Sequence, residues 1–451
     1  MSRIVKWTLA LLLLALAVTA CAVTGLRLYR AKEYQRALDE AQSLYAAGDY
    51  TAAKTAFEAL GLTERAEDCA LQLELLDKGE RLRQAEALLE AGDYTAAREA
   101  FLALGDFENA AERIPACELG EAGQLLAEGQ TDEALVLLEG LGDYPGAAEL
   151  MEQTREKQYA EALAATYACR MDEAISLWNK LGDYRDASRL LQRCLDYVAM
   201  AAAGPAETIQ ESSYYGRNNR TGRVYTCRLG LLYVPNDAGP ETGSLIFWPG
   251  GYDEVLANNY LTEYVDYTQL PNAIMLLCYA NGYSDPDYKI EDCYKMLEQA
   301  AIEHHVFLHD LVLGGASMGA YTAIQGAAEI YRDHGLAAKA VLTFDAGNHW
   351  EEKSRIMSPE QCDEAAKAGT AYYLLEFGGI GMNKRPIELM VVHGVNVTIV
   401  EVKEGGHYSI ITDAMREGMI DWALGQGERP DTWNYRYIPL DRNSTYPRGS
   451  S

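Results

Sequence analysis

Leu311-Val-Leu-Gly-Gly-Ala-Ser-Met-Gly-Ala320 is the stretch on which the reading of the chain turns. An apolar run reaches Gly314, Gly315-x-Ser317-x-Gly319 follows, and Ala320 to Tyr331 has the character of a helix. Strand, tight turn and helix in that order need small residues where the two elements close on each other. The turn would hold the Ser317 hydroxyl raised at a helix N-terminus, where free N–H groups favour developing negative charge.

A bare Gly-x-Ser-x-Gly string is a weak signal, and its surroundings sharpen it. Val397-Thr-Ile-Val-Glu-Val402 reads as a late strand, and Lys403-Glu-Gly-Gly-His407 follows, placing a His in a turn just past it. Leu245-Ile-Phe-Trp-Pro-Gly-Gly251 reads as an earlier strand running into glycines. Glycine-rich loop, Ser and His in that chain order resemble the α/β-hydrolase family, with the Ser317 turn as its nucleophile elbow. The resemblance covers most of residues 207–451. The plain alternative is a tight strand–helix turn with a capping Ser and a surface His.

The resemblance implies roles residue by residue. Ser317 would be the nucleophile and His407 the base that takes its proton. The oxyanion would be held by the backbone N–H of Met318 and that of Gly251 or Tyr252. Two departures stand out. Pro249 occupies the place where the family often has a His. The family acid normally follows the strand here read as Ala371-Tyr-Tyr-Leu-Leu-Glu-Phe377, yet Gly378-Gly-Ile-Gly-Met-Asn383 holds no Asp or Glu. Some family members carry the acid one strand earlier, which suits Asp345 at the end of Ala338-Lys-Ala-Val-Leu-Thr-Phe-Asp345. That strand end lies on the side of the sheet where open α/β folds build their sites. Glu376, inside its strand, is the fallback acid, and a site without a carboxylate partner is the third possibility.

The intervening segments are read more briefly. Gly222 to Val234 gives early strands, Asn272 to Asn281 a buried one, Glu291 to His304 a helix, Lys384 to Val395 another, and Ile410 to Leu424 a closing helix. His304 and His305 fall at the far end of the elbow strand and are poor catalytic candidates. Tyr252, Tyr279, Tyr283, His349 and Trp350 are candidates for an aromatic rim, and Tyr408-Ser409 for the pocket wall.

The 451-residue chain has room for two or three domains. Its formal charge of −28, from 39 basic and 67 acidic residues, argues against nucleic acid and against charge-driven binding to anionic lipid. The 9 cysteines match neither a disulfide framework nor a zinc spacing, and some, such as Cys278, read as core residues. No redox cofactor is implied and no metal is required.

Trp7 to Leu26 is apolar or uncharged for 20 residues behind Arg3 and Lys6, long enough to cross a bilayer. The expectation is a membrane anchor over residues 1–28. A signal peptide shares the pattern. Val18-Thr-Ala-Cys21 resembles a bacterial lipobox, although the apolar run continues past Cys21. Arg27, Arg30, Lys32 and Arg36 balance the leading charges, so orientation is not decided by them. With this layout the soluble part is expected outside, at a bacterial cell surface, and a cytosolic placement stays open.

Residues 29–200 repeat. Ala47-Gly-Asp-Tyr-Thr-Ala-Ala53 recurs as Ala91-Gly-Asp-Tyr-Thr-Ala-Ala97, with weaker copies at Glu128–Ala134 and Cys169–Ala174, spaced 44, 37 and 40 residues. A second marker follows each, as in Leu104-Gly-Asp-Phe107 and Leu141-Gly-Asp-Tyr144. Each unit reads as helix, glycine turn, helix, short turn, helix, which buries its apolar face only by stacking. The pattern resembles tetratricopeptide-type repeats, with a period longer than their about 34 residues. Such a stack would bind a protein or peptide partner, or serve as a spacer. Ala201-Ala-Ala-Gly-Pro-Ala206 breaks it.

The expected architecture is therefore an N-terminal membrane helix, an all-α repeat region, and an α/β-hydrolase domain with a mostly parallel sheet. The expected activity is hydrolysis of a small or medium carboxylic ester through an acyl-enzyme. Two rivals remain: a protein-binding scaffold with a degenerate hydrolase domain, and an envelope peptidase or acyltransferase.

Overall fold

The computed structural model describes residues 3–211, 222–250, 271–280, 289–346, 357–377, 384–406 and 409–441. By contacts the chain forms two units, Met1–Thr154 and Arg155–Ser451.

The first unit is helical. Helix α1 runs unbroken from Arg3 to Ala46, 44 residues. An 18-residue stretch of it has a mean hydropathy of 2.5 and none of it is buried, so by length and composition it suffices to cross a membrane. Within it, Thr19 and Thr24 donate their hydroxyls back to the carbonyls of Ala15 (2.7 Å) and Ala20 (2.6 Å), so that neither hydroxyl is left bare on the apolar surface. The far end of α1 packs Ala41 with Ala53 and Phe57 of α2 (Tyr50–Ala59) and with Ala66 and Cys69 of α3 (Thr63–Glu90).

Short α2, α4 (Tyr94–Leu104) and α6 (Thr131–Leu141) alternate with longer α3, α5 (Ile114–Ala127) and α7 (Ala147–Tyr167). A 3₁₀ turn, Phe107–Arg113, precedes α5. The third helix read for each unit is thus the first helix of the next, as with the single helix α3. The glycine turns explain why helices stop where they do. Gly48, Gly92 and Gly129 all sit at φ 80, a left-handed conformation that costs glycine nothing. After the first two, the next residue caps the following helix: Asp49 accepts from Ala52 N (3.1 Å) and Asp93 from Ala96 N (3.3 Å), whereas Gln130 makes no such bond. In the corresponding fourth turn Cys169 takes the positive φ, 54, without being glycine.

The second unit contains the end of α7, then α8 (Met171–Leu181) and α9 (Ala187–Ala203), which stops at Gly204. These helices share a core with the sheet domain: Trp178, Leu190 and Cys194 pack with Phe307. Arg193, only 7% exposed, donates to the Leu308 carbonyl at 2.6 Å and lies over the Phe307 ring.

The sheet strands are β1 (Gln210–Glu211), β2 (Gly222–Thr226), β3 (Gly230–Pro235), β4 (Gly243–Trp248), β5 (Ala273–Cys278), β6 (Leu311–Ala316), β7 (Ala338–Phe344), β8 (Ala371–Phe377), β9 (Asn396–Val402) and β10 (Tyr435–Leu440). Their order is β1-β2-β3-β5-β4-β6-β7-β8-β9-β10, with β5 through β9 mutually parallel and antiparallel strands at both sides. The central strands are buried on both faces, which is why Leu311–Ala316 and Ala273–Cys278 read as continuous apolar runs. One face is covered by α10 (Ile290–Glu303), α11 (Met318–His334), α12 (Pro359–Ala368) and α13 (Lys384–Val392). The other is covered by α14 (Ser409–Arg416) and α15 (Met419–Ala423). This helical region followed by a mostly parallel, helix-covered sheet is an α-helical plus α/β-hydrolase-like architecture.

Candidate active site

Central strand β6 delivers Ser317. Its backbone leaves the strand at φ 48, ψ −114, and α11 begins at the next residue. A non-glycine residue in this region is strained by about 1–3 kcal/mol and persists only where its surroundings enforce it. Here they do. The Ser317 N–H donates to the Phe344 carbonyl at 2.9 Å, carrying the β6–β7 ladder one step past the strands. A Cβ on Gly315 would fall closer than 3.0 Å to the Gly319 carbonyl, and one on Gly319 equally close to the carbonyls of Trp248 and Pro249. A Cβ on Gly250 would stand 2.7 Å from the Ser317 Cβ. The glycines are therefore what let strand, turn, helix and the end of β4 meet. Ser317, Met318 and Gly250 are each partly exposed.

Strand register builds a row outward from this serine. Trp248 pairs with Gly315, so Gly250 comes beside Ser317. Ala316 pairs with Phe344, so Asp345 comes beside it on the other side. Phe344 pairs with Leu375, bringing Glu376 next to Asp345, and Glu376 pairs with Glu401, itself opposite Arg436. Residues in register on neighbouring strands share a face of the sheet.

Asp345 is the second strained position, with φ 45, and its N–H donates to the Leu375 carbonyl at 2.8 Å. The next residue, Ala346, is fixed through its carbonyl by the Tyr321 hydroxyl at 3.0 Å. Glu376 is 4% exposed, and its Oε1 has no hydrogen-bond partner among the described residues. Burial, and then the Asp345 charge, push its carboxyl up to about 8 against an opposing hydrogen bond from the Ala346 backbone. Glu401 is held by Arg436 at 3.5 Å.

The structure thus brings Ser317, Met318, Asp345 and Glu376 together at the C-terminal ends of the parallel strands. Gly251, Tyr252, Tyr283, His349, Trp350, His407 and Tyr408 lie outside the described residues. Strand β9, which precedes residue 407, ends on the same side of the sheet as β6 and β7. Tyr279 is half-buried just past β5. His304 and His305 sit in the turn before β6, at the opposite end of the sheet. A cavity of about 580 Å3 between the end of α9 and α10, lined by Met200, Pro205, Met296, Ile302 and His305 among others, contains none of Ser317, Met318, Asp345 and Glu376. The sequence reading missed that Glu376 stands in register with Glu401, which Arg436 holds. The signal available was a Glu inside each of two otherwise apolar late strands.

No family model and no curated relative matches the chain. Solved structures do. A thermostable esterase from Pseudomonas putida is similar at 12% identity, over 52% of this chain and 89% of that one, with a TM-score of 0.32. An S-formylglutathione hydrolase from Staphylococcus aureus is similar at 14% identity, over 49% and 98%, with a TM-score of 0.30. A bacterial heroin esterase is similar at 16% identity, over 52% and 89%, with a TM-score of 0.31.

Proposed function

We propose that the protein is a serine hydrolase that cleaves a small or medium carboxylic ester through an acyl-enzyme. The observation that carries this is Ser317, held at φ 48 between obligatory glycines at the N-terminus of α11 and in register with Asp345. A serine serving only as a helix cap needs no such strained, partly exposed seat, and its side chain makes no capping bond here.

In this reading the Ser317 Oγ attacks the ester carbonyl while His407 takes the hydroxyl proton. The C–O bond to the alcohol then breaks, and the same proton goes to the leaving oxygen. Water repeats the sequence on the acyl-enzyme and releases the acid. Asp345 orients the imidazole and stabilises its cation. The Met318 N–H, with that of Gly251 or Tyr252, receives the oxyanion, aided by the helix N-terminus. Helix α1 tethers the enzyme to a membrane with the soluble part outside. The helical region, read as residues 29–200, follows the anchor in the chain as a scaffold able to take a peptide partner, and the hydrolase domain spans residues 207–451.

A serine-reactive phosphonate tests the reading. The wild-type chain is expected to be labelled at Ser317 and to turn over short-chain aryl esters, and Ser317→Ala to do neither while remaining folded. Folded wild-type protein that resists the phosphonate would refute the enzyme and favour the scaffold. Faster cleavage of amides than esters would move the activity to the peptidases.

A further inference from the structure

Glu376 is the buried acid that the proposed mechanism leaves unused. It lies on β8 between Asp345, just past β7, and Glu401 of β9. The Glu401 charge is met by Arg436 of β10, and from α11 the Tyr321 hydroxyl is committed to the Ala346 carbonyl. Among the described residues no cation reaches Glu376, and its Oε1 is sealed without a donor. An ionised carboxylate in that position would keep an empty acceptor site and face a second carboxylate, whereas a neutral carboxyl offers a donor and removes the repulsion.

Resting on the reading of Ser317 and Asp345 as hydrolytic residues, we propose that Glu376 is a positioning residue. It holds its proton beside the Asp345 carboxylate, so that the two neighbouring acids do not repel each other, and its ionisation shuts the site at alkaline pH. The upward displacement of its carboxyl to about 8 agrees with this placement. An ionised, unpaired Glu376 directly beside Asp345 would push it from the strained seat on which its orientation depends.

The test uses the full chain and Glu376→Gln, which keeps the shape and cannot ionise. One arm follows folding stability against pH. A carboxyl whose folded value is raised to about 8 stabilises the fold fully below its unfolded value and loses that contribution as pH climbs through 8. Wild-type thermal stability should therefore fall across this window relative to E376Q, and the gap should level off above it. The second arm follows ester kcat/KM against pH. Wild type should decline on an alkaline limb near 8. E376Q should lose or move that limb, with its plateau lowered no more than about tenfold, whereas Asp345→Asn should lose about 10³-fold or more at every pH.

Parallel stability curves for wild type and E376Q would overturn the proposal. So would a loss in E376Q as deep as that in D345N, which would make Glu376 the triad acid. If wild type turns over no ester, the hydrolytic reading falls, and the stability arm still decides whether the proton is held. Should E376Q not fold, the infrared carbonyl band of a neutral buried carboxyl in wild type at neutral pH supports the proposal, and its absence refutes it.

Discussion

Replacing Gly319 by Ala sets two effects against each other. Glycine to alanine within a helix ordinarily gains about 0.5–1 kcal/mol. At Gly319, the second residue of α11, the new methyl would fall closer than 3.0 Å to the carbonyls of Trp248 and Pro249. Both are backbone atoms at the end of β4, and Trp248 is paired to Gly315, so no side-chain rotation relieves the overlap. Overpacking of this kind costs about 1–3 kcal/mol, and the net expectation is a loss of about 1–2 kcal/mol with a melting temperature several degrees lower. The rate should suffer more. The end of β4 holds Gly250 against Ser317, and displacement of a reacting group by about 1 Å costs about 10²-fold. Thermal unfolding and the rate of phosphonate labelling measure the two losses. Gly326→Ala is the control, since its methyl would meet Trp248, Leu313 and Ile290 at 3.4, 3.5 and 3.6 Å, ordinary contact distances. That variant should label normally and melt no lower than wild type. If G319A melts and labels like wild type, the close approach of α11 to β4 is wrong.

Further expectations concern strain and capping. Ser317→Gly should relieve the positive φ and stabilise the fold by about 1 kcal/mol while abolishing labelling; lowered thermal stability would contradict the strained seat. In the helical region, Asp93→Ala removes the bond to Ala96 N and should cost about 1 kcal/mol, and Asp93→Asn should cost little; equal melting of all three by circular dichroism would contradict the cap.

Much of this fold is legible in the chain because its signals are local. The fully apolar runs of β5 and β6, the glycines around Ser317 and the repeated Ala-Gly-Asp-Tyr-Thr turns each express a steric demand that nearby residues declare. Helix limits were less legible. Helix α11 starts at Met318 rather than Ala320, since the strand hands over to the helix within one residue, and α13 ends at Val392, ahead of a turn at Gly394 with φ 85. The row from Gly250 to Arg436 was not legible. Register between parallel strands is imposed by the helices and loops joining them, so no periodicity announces that Asp345, Glu376 and Glu401 stand side by side. For the same reason Glu376 read as a substitute for Asp345 rather than as its neighbour.

The bond from Arg193 to the Leu308 carbonyl has a consequence for dissecting the gene. Helix α9, through Leu190, roofs Phe307 four residues before β6 begins, together with Trp178. A fragment cut at the alanine–proline break after α9 would expose that ring and strip a carbonyl of its guanidinium at the entrance to the strand that delivers Ser317. Such a piece is expected to aggregate, whereas one begun ahead of α7 should stay in solution. The shift in composition marks where the residues change character, while the hydrophobic floor beneath the sheet extends about forty residues upstream of it, to Tyr159.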